Sequence, residues 1–294
     1  MAIANPANDP LAVRFTVADY DLPATLNSGQ AFRWHFEDGA WEGVVAGRWL
    51  QARSEVGGLA VRAAQPQRSW DWLRHYLAVE ENLGAMVASF PPDPPLQAAV
   101  TACRGLRLLR QEPWECLASF ILSSTKQIPQ IQQIVARLCE RYGEPVAVPD
   151  EHRQEFAFPS AARLAACTEA ELRDCRMGFR ARYLRETARR VAAGDPDLST
   201  LATRSLPEAR EALMSLPGVG RKIADCALLF SLGFSAAFPV DVWILKALRQ
   251  LYFPRRRVTL RGLHAFTETH FGPYAGYAQQ CLFHWMRQQA GRVT

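Results

Sequence analysis

Of the 34 basic side chains in this chain of 294 residues, only Lys126, Lys222 and Lys246 are lysines, and the rest are arginines. Arginine serves surface charge and phosphate contacts as well as lysine does. A guanidinium is never an amine nucleophile near neutral pH, whereas a lysine amine can be. Each lysine is therefore a position at which to ask whether an amine is required, although genomic base composition produces the same bias. Lys222 has the most telling neighbours. It follows the turn Leu216-Pro217-Gly218-Val219-Gly220, on the first turn of the helix that starts at Arg221. Nineteen residues later Phe238-Pro239-Val240-Asp241 enters another helix with Asp241 at the N-cap position. An amine with a nearby carboxylate suits covalent attack on an electrophilic carbon, with the carboxylate stabilising positive charge as it develops. A free lysine, near pKa ~10.4, is almost wholly protonated at neutral pH. A helix N-terminus and partial desolvation both disfavour the ammonium form. The plainer reading is that the amine contacts a phosphate and Asp241 only caps its helix, since Asp is a favoured N-cap.

The turn has its own chemistry. A helix from Pro207 to Leu216, a glycine-rich corner and a second helix present several unpaired backbone N–H groups, including those of Gly218, Val219 and Gly220, which suit a DNA phosphate. Such a grip carries no base information. The alternative is a helix-turn-helix connection whose glycines only make the corner.

The elements that must position these residues fall into two textures. From about residue 13 to 63 the chain reads as short strands. Phe32, Trp34 and Phe36 alternate with Arg33, His35 and Glu37, Asp38-Gly39 forms a tight hairpin turn, and Gly47 and Gly57-Gly58 punctuate further strands. An antiparallel sheet of three to five strands is expected. Helical patterns begin near Ser69, and the run from Pro91 to Pro95 reads as a stiff linker. Helices are then expected near 112–124, 128–142, 160–166, 169–175, 179–193, 207–215, 221–232, 242–252, 259–270 and 275–288. The fold class is α+β: an N-terminal lobe over 1–104, with an antiparallel sheet and helices, followed by an all-α body over 105–294.

Composition narrows the class. Hydrophobic content of 49% and charged content of 21% are ordinary for a globular protein. The net charge of +5 and pI near 8.9 permit nucleic-acid binding without demanding it. The longest apolar run, from Cys226 to Val240, is too short and interrupted to span a bilayer. The leader MAIANPANDP has no basic start and no apolar stretch, so it does not read as a secretory signal. Seven scattered cysteines with no C-x-x-C pair argue for reduced thiols. A cytoplasmic location, in bacterial cytosol or nucleoid, or a nuclear one is expected, with no membrane partner and nothing that calls for an oligomer.

LPGVGRKIADCA followed by FPVDVW resembles the signature of the helix-hairpin-helix glycosylases, in the lysine-bearing version of its bifunctional members. SGQAFRW (Ser28 to Trp34), GLRLLRQEPWECLASFILSS (Gly105 to Ser124), GFRARY (Gly178 to Tyr183) and FGPYAGYAQQCLF (Phe271 to Phe283) further resemble the 8-oxoguanine DNA glycosylases of the eukaryotic type. The likeness runs from about Val13 to Phe283. It implies a glycosylase and abasic-site lyase acting on duplex DNA that contains an oxidised purine. Breaking the N-glycosidic bond builds positive charge on the sugar, which Asp241 stabilises. Lys222 adds to C1′ and leaves a Schiff base, from which β-elimination expels the 3′ phosphate.

The same resemblance assigns the pocket for a flipped base. Cys226 and Phe283 sandwich the purine, Gln279 reads its Watson–Crick edge, and the Gly29 carbonyl accepts the N7–H that 8-oxoguanine has and guanine lacks. Phe179 matches the wedge, and Arg180 the arginine that reaches the opposite cytosine. Four positions depart from the family pattern: Thr125 replaces an asparagine that fills the vacated stack, Gln130 an arginine that reads the opposite cytosine, and Trp243 with Met286 a His–Asp pair near the phosphate. An alkylpurine glycosylase of the same superfamily, or a non-catalytic helix-hairpin-helix DNA-binding protein, is the competing reading. Only Cys281 follows Asp241, so no iron–sulfur cluster is expected. Backbone carbonyls such as those of Leu216 and Val219 are expected to suit a monovalent or calcium ion, while no side-chain cluster for a catalytic metal is expected.

Overall fold

The computed structural model describes residues 9–291. Most of the leader lies outside the described residues. The strands are β1 (Ala12–Thr16), β2 (Trp34–Glu37), β3 (Ala40–Val45), β4 (Arg48–Glu55) and β5 (Gly58–Ala63), with helix α1 (Leu22–Asn27) between β1 and β2. They form one antiparallel sheet in the order β1-β5-β4-β3-β2. Asp38 and Gly39 have φ of 47° and 76°, the paired left-handed residues of a two-residue hairpin whose twist matches the strands. Phe32 and Trp34 are buried, but Phe36 is 63% exposed. It sits on the edge strand against Trp41, with ring centroids 5.4 Å apart, rather than in the core.

Helices α2 (Asp71–Tyr76) and α3 (Leu83–Ala88) follow, then α4 (Pro94–Ala102). Leu22, Leu73 and Leu77 close one core with Phe15, Trp34, Leu50 and Val61 of the sheet. The expected linker at 91–95 is instead a built helix start. Buried Asp93 accepts the Leu96 amide at 2.9 Å, and Pro94-Pro95 occupy the first helical positions, where no N–H is needed.

The body holds α5 (Pro113–Leu122), α6 (Ile128–Tyr142), a ribbon of β6 (Pro145–Val146) and β7 (Glu155–Phe156), α7 (Ala161–Ala166), α8 (Glu169–Leu172), α9 (Arg180–Ala192), α10 (Leu206–Met214), α11 (Arg221–Phe230), α12 (Val242–Leu251), α13 (Leu260–His270) and α14 (Ala275–Gln289). The ribbon is the one departure from an all-α body among the described residues, and Val146 packs on Val44 and Trp49 of the sheet. The main core runs through the helices but also takes in Phe32, Met86, Leu96, Ala99 and Cys103 from before residue 105.

Reduced thiols throughout do not hold. Cys103, at the end of α4, is joined to Cys281 of α14 by a disulfide with Cα atoms 5.7 Å apart, because these two helices pack directly together. The other five cysteines are free and buried. No helix among the described residues is long and apolar enough to cross a membrane.

Candidate active site

The hairpin forms as its spacing predicts. Ser205 and Glu208 make a capping box that starts α10, and Gly218, at φ 76°, turns the chain before α11. Two contacts from α9 brace the corner: Thr187 Oγ1 donates to Pro217 O at 2.9 Å, and Tyr183 packs so close that a Cβ on Gly218 would lie 2.6 Å from it. Inside the hairpin, buried Asp225 of α11 accepts from Arg210 of α10 at 2.7 Å. Burial pushes the Asp225 carboxyl up, against the pull of that guanidinium. The pair holds the two helices at fixed rotation, and removing one partner would leave a buried charge.

Lys222 lies on the first turn of α11 and Cys226 one turn further, where four-residue spacing places them on one face. Asp241 is the N-cap of α12, its Oδ1 accepting the Ile244 amide at 2.8 Å. Gln279 and Phe283 stand on one face of α14. Gly29 is brought in by its neighbours: Gln280 Nε2 donates to Ser28 O at 3.1 Å. Buried Gln30 donates to Arg107 O at 2.8 Å and accepts the Leu109 amide at 2.8 Å. These six residues line one cavity of about 40 Å³ together with Phe120, Phe230, Pro239 and Gln280. It holds at most a few waters, so its walls must part to admit a purine.

Charge at the site follows from burial. The Asp241 carboxyl is raised above its ordinary range by desolvation, opposed by the Ile244 amide and the Lys222 charge. Burial pushes the Cys226 thiol up to about 12, again against Lys222, so the thiol is a neutral wall. Gln279 is 4% exposed, and its Oε1 has no hydrogen-bond partner. A buried unpaired acceptor costs about 1–3 kcal/mol, which a ligand N–H would recover.

Two residues here escaped the sequence reading. Lys222 Nζ donates to Ser123 Oγ at 3.1 Å and lies 4.9 Å from the centre of the Phe120 ring. The Ser123 hydroxyl donates in turn to Phe120 O at 2.7 Å, which leaves its oxygen to accept from the amine. Both lie in the segment Gly105 to Ser124, and their three-residue spacing at the end of α5 was the available signal.

The second group of expected residues lies outside this cavity. Phe179 is 57% exposed at the start of α9, beside Tyr183. A π-helical turn over Arg173–Met177, with Arg176 at φ 63°, ends the preceding helix and aims this segment. Arg180 is 3% exposed and folded back. Its guanidinium donates to the carbonyls of Met177 and Ser124 and to Thr125 Oγ1, and stacks on Phe179 at 4.4 Å. Thr125 has φ 57°. Gln130 closes the capping box of α6, its Oε1 accepting the Gln127 amide at 3.1 Å. Trp243 is half-buried beside Asp241 and Met286 is buried. In the hairpin Leu216 O accepts the Val219 amide at 3.1 Å, so of the amides expected to be unpaired there that of Val219 is engaged within the turn. A separate cluster of His35, Glu37 and Glu42 brings one ligand-type atom each within 4.8 Å of one another. Its place is the outer sheet, where β2–β3 pairing sets His35 opposite Glu42.

Known proteins agree with this geometry. Residues 12–117 match the 8-oxoguanine DNA glycosylase N-terminal domain, and residues 118–264 match the HhH-GPD superfamily of base excision DNA repair proteins. A probable N-glycosylase/DNA lyase of Methanothermobacter thermautotrophicus is 30% identical over 94% of this chain and 96% of its own. The structure of MBOgg1 with a low-affinity DNA ligand superposes with a TM-score of 0.89 at 34% identity, covering 95% of this chain and 96% of that one. The 8-oxoguanine glycosylase/lyase of Clostridium acetobutylicum, bound to double-stranded DNA with cytosine opposite 8-oxoguanine, gives 0.87 at 30% identity, over 92% and 93% of the two chains. The chain belongs to the 8-oxoguanine DNA glycosylase family of the HhH-GPD base excision repair proteins.

Proposed function

We propose that this protein is a bifunctional DNA glycosylase and abasic-site lyase that removes 8-oxoguanine from duplex DNA in base excision repair. The observation that carries this reading is the single cavity that brings Lys222, Asp241, Gly29, Cys226, Gln279 and Phe283 together. The hairpin grips a phosphate through backbone N–H groups, and the target base leaves the stack for the cavity. Phe283 and Cys226 enclose its faces, the orphaned Gln279 oxygen accepts from its Watson–Crick N–H groups, and Gly29 O accepts the N7–H peculiar to the oxidised base. The Lys222 amine adds to C1′ as the glycosidic bond breaks and the base departs. Asp241 stabilises the charge that develops on the sugar. Loss of a proton from nitrogen as the ring opens gives the Schiff base, and removal of a C2′ proton then expels the 3′ phosphate.

The neighbouring departures belong to the same reading. Thr125 and Gln130 face the space left by the flipped base and its partner, and Arg180 swings out from its carbonyl contacts to meet the opposite base. Phe179 wedges the stack, and Trp243 takes the phosphate side of Asp241. An ion at the hairpin would use Leu216 and Val219 carbonyls. Leu216 O already accepts one amide and keeps a second lone pair for it. The complete pocket comes from one chain, which supports a monomer acting where DNA lies, in a cytoplasm with its nucleoid or in a nucleus.

Borohydride trapping on a duplex with 8-oxoguanine opposite cytosine tests the reading. A covalent adduct is expected with the wild type and none with Lys222→Gln. Base release without an adduct would mean a monofunctional enzyme. Neither adduct nor release would overturn the assignment in favour of alkylated purines or a silent DNA-binding module.

A further inference from the structure

The outer face of the N-terminal sheet carries a second cluster of chemistry that plays no part in base excision. Antiparallel pairing sets His35 of β2 opposite Glu42 of β3, and Glu42 opposite Gln51 of β4, making one cross-strand row. Glu37 lies two residues from His35 and shares its face. The loop between β6 and β7 lays His152 over the row. The Glu42 side chain is only 8% exposed. Its Oε1 is held by Gln51 Nε2 at 2.8 Å, while its Oε2 lies 3.1 Å from His152 Nε2 and 3.9 Å from His35 Nε2. Glu37 Oε2 is 3.8 Å from the same His35 nitrogen. The ring of Trp49 meets His152 edge-on at 5.0 Å and fixes its plane.

His152 Nε2 hydrogen-bonds the Glu42 carboxylate, and the spacing of the group leaves room for a small ion between its ligand atoms. A tetrahedral ion with N/O bonds of about 2.0–2.2 Å puts its ligand atoms roughly 3.3–3.6 Å apart. One ligand atom from each of His35, Glu37 and Glu42 lies within 4.8 Å of the others, and the three imidazole–carboxylate separations of 3.1, 3.8 and 3.9 Å stand within about half an ångström of that range. The supporting shell is also present, since Gln51 orients the carboxylate and Trp49 one imidazole, as outer partners do in metal sites. Surrounding charge points the same way. The cleft of about 520 Å³ is lined by the carboxylates of Glu37, Asp38, Glu42, Glu151 and Glu155, with Arg153 as its one arginine, and that arginine is paired with Glu155 at 2.9 Å. A strongly acidic basin on a chain of net charge +5 repels a DNA phosphate and attracts a cation.

We propose that His35, Glu42 and His152, with Glu37 as fourth ligand, form a binding site for a divalent first-row transition ion of the zinc type, which clamps the β6–β7 ribbon to the sheet. Two imidazoles with carboxylates select such an ion over Mg²⁺ or Ca²⁺, which take all-oxygen sets. The clamp joins strands to a loop more than a hundred residues away, where Val44, Trp49 and Val146 supply only a small apolar contact.

Titration of the metal-free full chain with Zn²⁺ alone, by calorimetry, tests the site. One equivalent is expected to bind, with a rise in Tm. His35→Ala and His152→Ala, both at partly exposed positions, should each weaken binding at least about tenfold, and Gln51→Ala by about 10–100-fold. Cleavage of 8-oxoguanine duplexes by these variants should stay at the wild-type level, which also certifies their folding. Co²⁺ should give tetrahedral visible bands that the double variant His35→Ala/His152→Ala lacks. Undetectable binding, equal binding by the double variant, or binding with no change in Tm would overturn the proposal.

Discussion

The cavity at Lys222 and the segment around Phe179 are assigned to the same flipped nucleotide in the proposed function, yet their backbones are unlike. At the cavity, Lys222 with Cys226 and Gln279 with Phe283 project from regular helices, each pair one turn apart. Across the site, Thr125, Arg176 and Gly178 occupy left-handed backbone at φ 57°, 63° and 62°, and a π-helical turn interrupts the chain. Helical periodicity places four of the six proposed site residues, while Gly29 and Asp241 come from a loop and a helix cap. The segment proposed to read the opposite base rests on irregular backbone, where one side chain changes several contacts at once. The four departures from the family pattern fall at that side or at the phosphate, and none falls on a cavity wall.

The largest effect that sharpens the contrast is expected from Asp241→Asn. Asparagine caps a helix as well as aspartate, so α12 should hold and only the charge is lost. Single-turnover excision should fall by about 10²–10³-fold, with a Tm close to wild type. Burial raises the Asp241 carboxyl, and catalysis needs its ionised form. Activity should therefore decline, as pH falls, from a point above the ordinary carboxylate range. An acid limb at the ordinary carboxylate value would contradict this. The stability sign is opposite: a raised carboxyl holds its proton in the folded state, so this group favours folding less as pH rises through its window.

Gly29→Ala tests how tightly the cavity is packed. At φ 77° a side chain is strained, and its Cβ would stand 2.7 Å from Ile128 Cδ1 and 3.5 Å from Phe283 Cε1. A loss of about 1–3 kcal/mol in stability is expected, together with loss of 8-oxoguanine release while lyase action on an abasic site survives. Equal losses on both substrates would show that Gly29 serves the fold and not the lesion. A smaller effect is expected of Ser123→Ala, which removes one hydrogen bond to the Lys222 amine. At about 1 kcal/mol for such a bond, Schiff-base formation should slow roughly fivefold.

How much was legible follows the same division. Helix ends near Ser205, Arg221 and Asp241 carry capping and glycine signals that act locally, so they were readable, and with them the candidates Lys222 and Asp241; the pocket candidates came only with the family resemblance. The Cys103–Cys281 disulfide spans 178 residues and depends on how α4 meets α14, which no local pattern states. His152 stands 110 residues from Glu42, and only strand register and a ribbon fold bring them together. Asp93 looked like part of a proline-rich spacer because its helix-capping role needs the buried setting that the fold provides. Arg180, expected to reach the opposite cytosine, has its guanidinium held by the carbonyls of Met177 and Ser124 in the protein without DNA, a contact no local pattern states.

Thr125 allows the most direct exchange between the two regions. A β-branched residue at φ 57° is an outlier, whereas asparagine tolerates that conformation. Thr125→Asn should therefore gain up to about 1 kcal/mol of stability. It also keeps an acceptor for Arg180, which donates to the threonine hydroxyl, and adds an amide able to fill the vacated stack. The wild type should accept bases other than cytosine opposite the lesion, and the variant should discriminate more steeply, with trapping opposite cytosine unchanged. Excision rates opposite each of the four bases measure this. A wild type already as selective as the variant would show that cytosine is read without this position, leaving Arg180 to carry the discrimination, and Arg180→Ala should then abolish it.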